Sequence, residues 1–310
     1  MSRKVAFITG ASRGIGKACA IELAEAGYDI AVTARTVKEG EAREHSSTIA
    51  ESDTSPLPGS LESTTEICEA KGVRAISVAA DLLEPESLGA AVTTVLERWG
   101  RIDVVIHNGR YIGPGHMDRF LDTPIELLRK QMEGNFFAQL IINKLVLPAM
   151  IKQGSGTIIN ITSSAGFADP NSAAGDGGWG MGYGTSKGAV QRIAGILKAE
   201  LADKGIRFFN LQPGLIVTER MIQDMGKFGF SSKGTGPEVP AKVVRWLCTD
   251  PEADDFNGKT IEGQAFCHER NLMPGWEGPT FGKVAMAYDL SGYNLDQLVK
   301  AAHAKQQSEA

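Results

Sequence analysis

The sequence predicts an α/β fold: a doubly wound, mostly parallel sheet of about seven strands with helices on both faces. Two observations carry the prediction. Short apolar runs alternate with amphipathic segments almost from the first residue, the rhythm of repeated βα units. The runs are short and mostly apolar, as strands buried on both faces of a parallel sheet must be. In order, strands are expected at 5–9, 29–34, 74–79, 103–107, 157–161, 206–211 and 260–265. Between them the helical patterns fall at 15–26, 85–99, 124–152, 183–204 and 237–248, with a further helix beginning near Ser60.

Composition narrows the function. The 310 residues are 42% apolar and 22% charged, an ordinary balance for one globular chain. With 37 acids against 32 bases the net charge is -5, which argues against a nucleic-acid partner. The apolar stretch around 145–148 is soon broken by Lys152, so no membrane span is expected. The N-terminal apolar run is too short for a secretory leader. Cys19, Cys68, Cys248 and Cys267 stand apart with no CxxC pair. That pattern suits reduced thiols and a cytoplasmic protein, with no disulfide scaffold and no metal site.

Three segments break the rhythm. Residues 38–60, rich in Glu, Ser, Thr and Pro, are expected to form a tolerated surface insertion. Residues 168–182 carry too many glycines for regular structure. From Cys267 a Trp/Pro/Gly stretch leads into the tail. The chain is therefore divided into one domain over 1–266 and an extension over 267–310 that packs on it or at a subunit interface.

The chemistry begins at the first strand–helix junction, Thr9-Gly10-Ala11-Ser12-Arg13-Gly14-Ile15-Gly16. Gly10 permits a tight turn, Gly14 lets backbone approach a pyrophosphate, and Gly16 lets the helix pack close to the strand. The helix N-terminus then offers free N–H groups to the anion. Further on, Tyr183 and Lys187 share one helix face, and Ser163 lies just past a strand, at the edge where such sheets bind ligands. A phenol is a poor base near neutrality, and a neighbouring ammonium favours its ionised form. Such a Tyr183 can take a proton from an alcohol or give one to a carbonyl. Ser163 would hold the substrate oxygen, with Ser164 as its competitor.

The glycine turn, Asn108, Asn135, Ser163, Tyr183-x-x-x-Lys187 and Pro213-Gly214, in that order, resemble the classical short-chain dehydrogenase/reductase family over roughly residues 4–265. The resemblance implies a single Rossmann-type domain, a nicotinamide dinucleotide and a homodimer or homotetramer. It implies that Asn135, Ser163, Tyr183 and Lys187 are catalytic, with Lys187 gripping the ribose and Asn135 supporting a water. It also implies cofactor contacts from Gly10, Ser12, Arg13, Gly14, Ile15, Gly16, Asp81, Leu82 and Asn108. Pro213, Gly214 and Thr218 would meet the carboxamide.

The chain departs from the family at His107-Asn108-Gly109-Arg110, where Arg110 replaces a small residue. Two readings of Arg110 stand: it reaches outward to solvent, or it meets an anionic group on the substrate. His107 is read as a packed strand end. Tyr183 follows Ser163 by 20 positions, longer than the family spacing, and the excess falls in 168–182. Phe167, Trp179, Met181, Met221, Met225, Phe228, Phe230 and Trp276 are candidates for an apolar pocket, suiting an uncharged, fairly hydrophobic ketone, aldehyde or alcohol. The second strand ends in Ala34-Arg35, where an NAD enzyme would set an acid against the ribose. Arg35, with Arg13, is expected to bind a 2′-phosphate, so NADP(H) is expected over NAD(H). A dehydratase or epimerase on the same scaffold and a non-enzymatic dinucleotide sensor are the competing readings.

Overall fold

The computed structural model describes residues 3–223 and 234–279. Seven parallel strands form one sheet in the order β3-β2-β1-β4-β5-β6-β7: β1 Val5–Thr9, β2 Asp29–Ala34, β3 Ala75–Ala79, β4 Val104–His107, β5 Gly156–Ile161, β6 Ile206–Gln212 and β7 Thr260–Glu262. The helices are α1 Gly14–Glu25, α2 Leu61–Glu69, α3 Pro85–Trp99, α4 Ile125–Met132, α5 Ala138–Gln153, α6 Met181–Leu201, α7 Glu219–Gln223, α8 Glu238–Thr249 and α9 Gly263–Glu269. The sheet is the Rossmann-type arrangement that the alternating pattern predicts. Strand order reverses between β1 and β4, which opens a crevice at their carboxyl ends.

Alternation along each strand divides the core into two layers. Ala6 and Ile8 of β1 pack with Cys19 and Leu23 of α1 and Val243 and Leu247 of α8. Val5 and Phe7 face the other way, against Leu88 and Val92 of α3 and Ile142 and Val146 of α5. All five residues of β1 are buried, which is why the run reads as continuously apolar. The four cysteines are free and buried.

Several elements differ from expectation. The pattern predicts β7 over 260–265, but it stops at Glu262 because Gly263 opens α9. That helix spans the 266/267 boundary, and its Cys267 is in the core. The helical pattern over 124–152 is α4 and α5 joined by a π-turn at Glu133–Phe137. The resulting run, Ile125–Gln153, has 29 residues and a window of mean hydropathy 1.3. It is thus long and apolar enough to cross a membrane by length and composition, contrary to the expectation. Half of that window is buried inside the protein, with Ile142, Val146 and Met150 packed in the core under the sheet.

The largest difference is the 38–60 insertion. It is a strap, not a passive surface loop. His45, Ser46, Ser47 and Leu57 are buried, and backbone pairing ties the strap to the segment after β4, where the Met117 amide donates to the Ser47 carbonyl over 2.9 Å.

Candidate active site

A cleft of about 1500 Å³ opens along the carboxyl edge of the sheet. Its floor at one end is the glycine turn. Gly10 and Gly14 have φ of 64° and 55°, backbone that side chains rarely adopt. A Cβ on Gly16 would come within 2.5 Å of both Asn108 Nδ2 and the Gly10 carbonyl. Asn108 Nδ2 donates to the carbonyls of Thr9 and Gly10 over 3.1 and 2.9 Å, so the end of β4 braces the turn. The N-terminus of α1 receives a carboxylate: the Gly14 amide donates to Glu219 Oε2 over 3.1 Å. That oxygen stands where a helix N-terminus would hold a phosphate. A close-approach glycine turn and an amide already holding an anion fit a pyrophosphate.

Ser12, Ile15, Arg35, Asp81, Leu82, Pro213, Gly214 and Thr218 line the same cleft as Gly10, Arg13 and Gly14. Asp81 Oδ1 accepts from the Leu83 amide over 2.9 Å and so closes the turn before α3. Thr218 approaches Gly14, where its Cγ2 would lie 3.1 Å from an added Cβ. Gly214 takes φ 76°, and Gln264 donates to the Pro213 carbonyl over 3.1 Å.

At the other end of the cleft stand Ser163, Tyr183 and Lys187. Tyr183 is in the first turn of α6, and Lys187 follows one turn later on the same face. Lys187 is buried, and its Nζ donates to the Ile161 carbonyl over 2.7 Å. Burial, then the charge of Arg110, lowers its pKa to about 7. Ser163 lies two residues past β5 and accepts from the Ala165 amide over 3.2 Å, which holds its side chain in the cleft. Gly166 is required beneath it, because a Cβ there would sit 2.7 Å from the Lys187 carbonyl. Asn135 occupies the π-turn, fully buried. Its Oδ1 accepts from the Tyr111 amide over 2.6 Å and its Nδ2 donates to Ser186 Oγ over 2.9 Å. The residue therefore ties the segment after β4 to α6, beside Lys187.

His107 is packed as expected, with Nε2 2.7 Å from Asn143 Oδ1 and a pKa pushed down to about 4 by burial. Arg110 does not extend away into solvent. It leans over Tyr183, half-buried, with Cζ 5.7 Å from the ring centre.

Phe167, Trp179 and Met221 line the cleft. Met181 does not; it is 49% exposed on the outside of α6. Trp276 instead packs on the core and meets His268 edge-on. Met225, Phe228 and Phe230 lie outside the described residues.

The strap supplies what the sequence pattern missed. Glu41, Arg43, Glu44, His45, Ser55 and Leu57 line the cleft. Arg13, expected at a 2′-phosphate, directs its guanidinium to the carbonyls of Leu57, Pro58 and Gly59 over 3.1, 2.8 and 2.7 Å. Arg35 donates to the Glu44 carbonyl over 3.2 Å. At the far side Arg220 of α7 is buried and donates to the His45 carbonyl and to Ser47 Oγ over 3.2 and 2.7 Å. A Ser/Thr/Glu-rich run without periodicity gave no sign of these ties. Among the described residues no group of His, Cys, Asp and Glu could hold a metal ion.

A family model described as short chain dehydrogenase matches residues 4–67 and 55–226. The chain belongs to the short-chain dehydrogenase/reductase family. Membership brings NAD(P)-dependent oxidoreductase chemistry on small molecules. Among curated relatives of this short-chain dehydrogenase, a 3-oxoacyl-[acyl-carrier-protein] reductase of Synechocystis is 30% identical over 84% of the chain and 95% of the relative. A dehydrogenase/reductase SDR family protein 7-like of Drosophila melanogaster is 32% identical over 87% of the chain and 77% of the relative. Among solved structures, a short chain dehydrogenase from Mycobacterium paratuberculosis bound to NAD superposes with a TM-score of 0.68 at 26% identity, over 84% of this chain and 96% of that one. A metagenomic short-chain oxidoreductase in complex with NADP gives 0.62 at 27% identity, over 81% and 93%.

Proposed function

We propose that the protein interconverts a ketone or aldehyde and an alcohol on a fairly hydrophobic small molecule, with Tyr183 as acid/base and NADP(H) as the dinucleotide. The observation that carries this reading is the convergence of Ser163, Tyr183 and Lys187 on the cleft that begins at the Gly10–Gly16 turn. The dinucleotide, when bound, supplies or accepts a hydride. The chain's own part is to hold the substrate oxygen with Ser163 Oγ and to move one proton at the Tyr183 hydroxyl. In reduction that proton goes to the oxygen of the carbonyl as its carbon gains the hydride; oxidation reverses both movements. Lys187 holds the ribose, and Asn135, through Ser186, fixes the helix turn between Tyr183 and Lys187. Phe167, Trp179 and Met221 in the wall of the cleft favour an apolar substrate body.

Preference for NADP(H) rests on Arg35 directly after β2, a guanidinium lining the cleft where a 2′-phosphate would lie. Arg13 contributes by holding the 57–59 end of the strap beside that position. Exposed Phe137 at the end of the π-turn, Leu145 and Ile151 along α5 and Ile196 on α6 support a homo-oligomer.

The test is a panel of ketones and secondary alcohols read by nicotinamide absorbance with each dinucleotide. Turnover of apolar carbonyls with NADPH is expected. Arg35→Ala should weaken NADP(H) by about 10- to 150-fold, the loss of one charged hydrogen bond, and leave NAD(H) nearly unchanged. Equal weakening of both, or preference of the unmodified protein for NAD(H), overturns the assignment.

A further inference from the structure

The wall of the cleft against Tyr183 carries a pair of side chains that the chemistry above does not use. Arg110 faces the Tyr183 ring with Cζ 5.7 Å from its centre. Its Nη1 lies 3.5 Å from His116 Nδ1 and donates to the Tyr111 carbonyl over 3.1 Å. His116 is buried and stacks on the same tyrosine, with ring centres 4.5 Å apart and planes tilted by 43°. The His116 carbonyl also accepts from the amide of Gly180 over 2.9 Å, the residue that caps α6. Only glycine fits there, since a Cβ would come within 2.8 Å of that carbonyl. The segment after β4 is thus pinned to the helix turn that presents Tyr183.

We propose that Arg110, braced by His116, is a positioning residue for the Tyr183–Lys187 pair, holding a permanent positive charge against the phenol ring where the proton is transferred. The proposal rests on the catalytic role given to Tyr183 above. A guanidinium keeps its charge at every working pH, and a cation over an aromatic face is attracted to it. Lys187 does not keep its charge in the same way. With a pKa lowered to about 7, first by burial and then by Arg110, a share of it is neutral near neutrality.

The surroundings of Lys187 single out Arg110 among the charged groups near it. Tyr183 comes from its own helix, the Ile161 carbonyl from β5, and His116 from the segment after β4. His116 is held neutral by burial and by Arg110, Arg220 and Lys187 itself. Among the described residues the one charged side chain that bears on Lys187 is Arg110. The cleft carboxylates Asp81, Asp169 and Glu262 do not enter. Arg110 therefore favours release of the lysine proton and supplies a fixed charge beside the phenol in its place.

The experiment has one arm without turnover and one with it. Protein labelled with [13Cε]lysine is titrated by NMR, the Lys187 resonance being identified by its loss in Lys187→Met. In Arg110→Gln the midpoint should rise toward the ordinary lysine range by about half a pH unit or more, while Arg110→Lys stays near the unmodified protein. His116→Phe keeps the stacked ring but removes the nitrogen facing the guanidinium. It should move the midpoint the same way by less, and it serves if glutamine disrupts the fold. In turnover, Arg110→Gln should lower kcat by about 2- to 30-fold, the range for a cation on an aromatic face, with KM nearly unchanged and with recovery in Arg110→Lys. An unmoved Lys187 midpoint, a loss confined to KM, or no recovery by lysine overturns the proposal. An unmodified protein inactive on the whole panel would sink the proposed function, while the NMR arm would still decide the coupling of Arg110 to Lys187.

Discussion

The contact between Glu219 and the start of α1 makes a quantitative prediction about dinucleotide binding. Glu219 Oε2 accepts from the Gly14 amide over 3.1 Å, and a pyrophosphate seated on that helix needs the same donor. Binding must therefore break this contact and bring a second anion toward the carboxylate. Glu219→Gln keeps the shape and an acceptor oxygen but removes the charge. A hydrogen bond to a charged group contributes about 1.5–3 kcal/mol. Glu219 is half-exposed, and solvent screening reduces the charged part to about 0.5–1.5 kcal/mol. The dissociation constant of the reduced dinucleotide should then fall by about 2- to 10-fold. Fluorescence titration at low and high salt reads it directly, and the gain should shrink as salt screens the repulsion. An unchanged constant at both salt concentrations, or weaker binding in the variant, would refute the reasoning.

Other outcomes follow from the same geometry. Tyr183→Phe should retain dinucleotide binding and lose about 10²–10⁴ in kcat, and a loss under about fivefold would remove Tyr183 from the acid/base role. Glu262 ends β7 with Oε2 buried and without a hydrogen-bond partner among the described residues, and burial pushes its pKa up to about 7. Below the unfolded value the carboxyl is protonated in both states and costs nothing; as pH rises through about 7 the folded protein loses that advantage. Glu262→Gln should accordingly raise Tm at pH 8 by an amount worth up to about 3 kcal/mol and leave it unchanged at pH 4; a gain equal at both pH values would contradict this. Arg220→Ala cuts the ties to His45 and Ser47 and should increase the opened population of the strap by about 10- to 150-fold. Limited proteolysis within residues 38–60 measures that change, and an unaltered cleavage rate would mean that the strap is held elsewhere.

What was legible in the sequence is what periodicity or steric necessity dictates. β1 and β2 end where the apolar runs end, because each residue of those strands is buried apart from Ala34. Gly16 declares itself since nothing larger fits against Asn108. Tyr183 and Lys187 are readable from helical spacing. The strap was not legible, because its ties run from side chains to backbone carbonyls and from Arg220, 173 positions beyond Ser47, and such bonds leave no local pattern. Met181 and Trp276 were misplaced for a related reason: apolar character says that a side chain can line a cavity, but helix phase decides whether it does. Met181 sits on the outer face of α6, and Trp276 finds a place on the core. His116 had no signature at all. Its importance comes from a ring–ring contact with a residue 67 positions away.

The strap also changes how the dinucleotide can leave. It departs from the sheet after β2, lines the cleft with Glu44, His45 and Leu57, is fastened to Met117 and Arg220, and returns to α2 past Arg13. A molecule lying in the cleft then has the strap as part of its wall. The ties at Met117 and Arg220 then bear on the exchange of a bound dinucleotide, because the strap cannot move off the cleft while they hold.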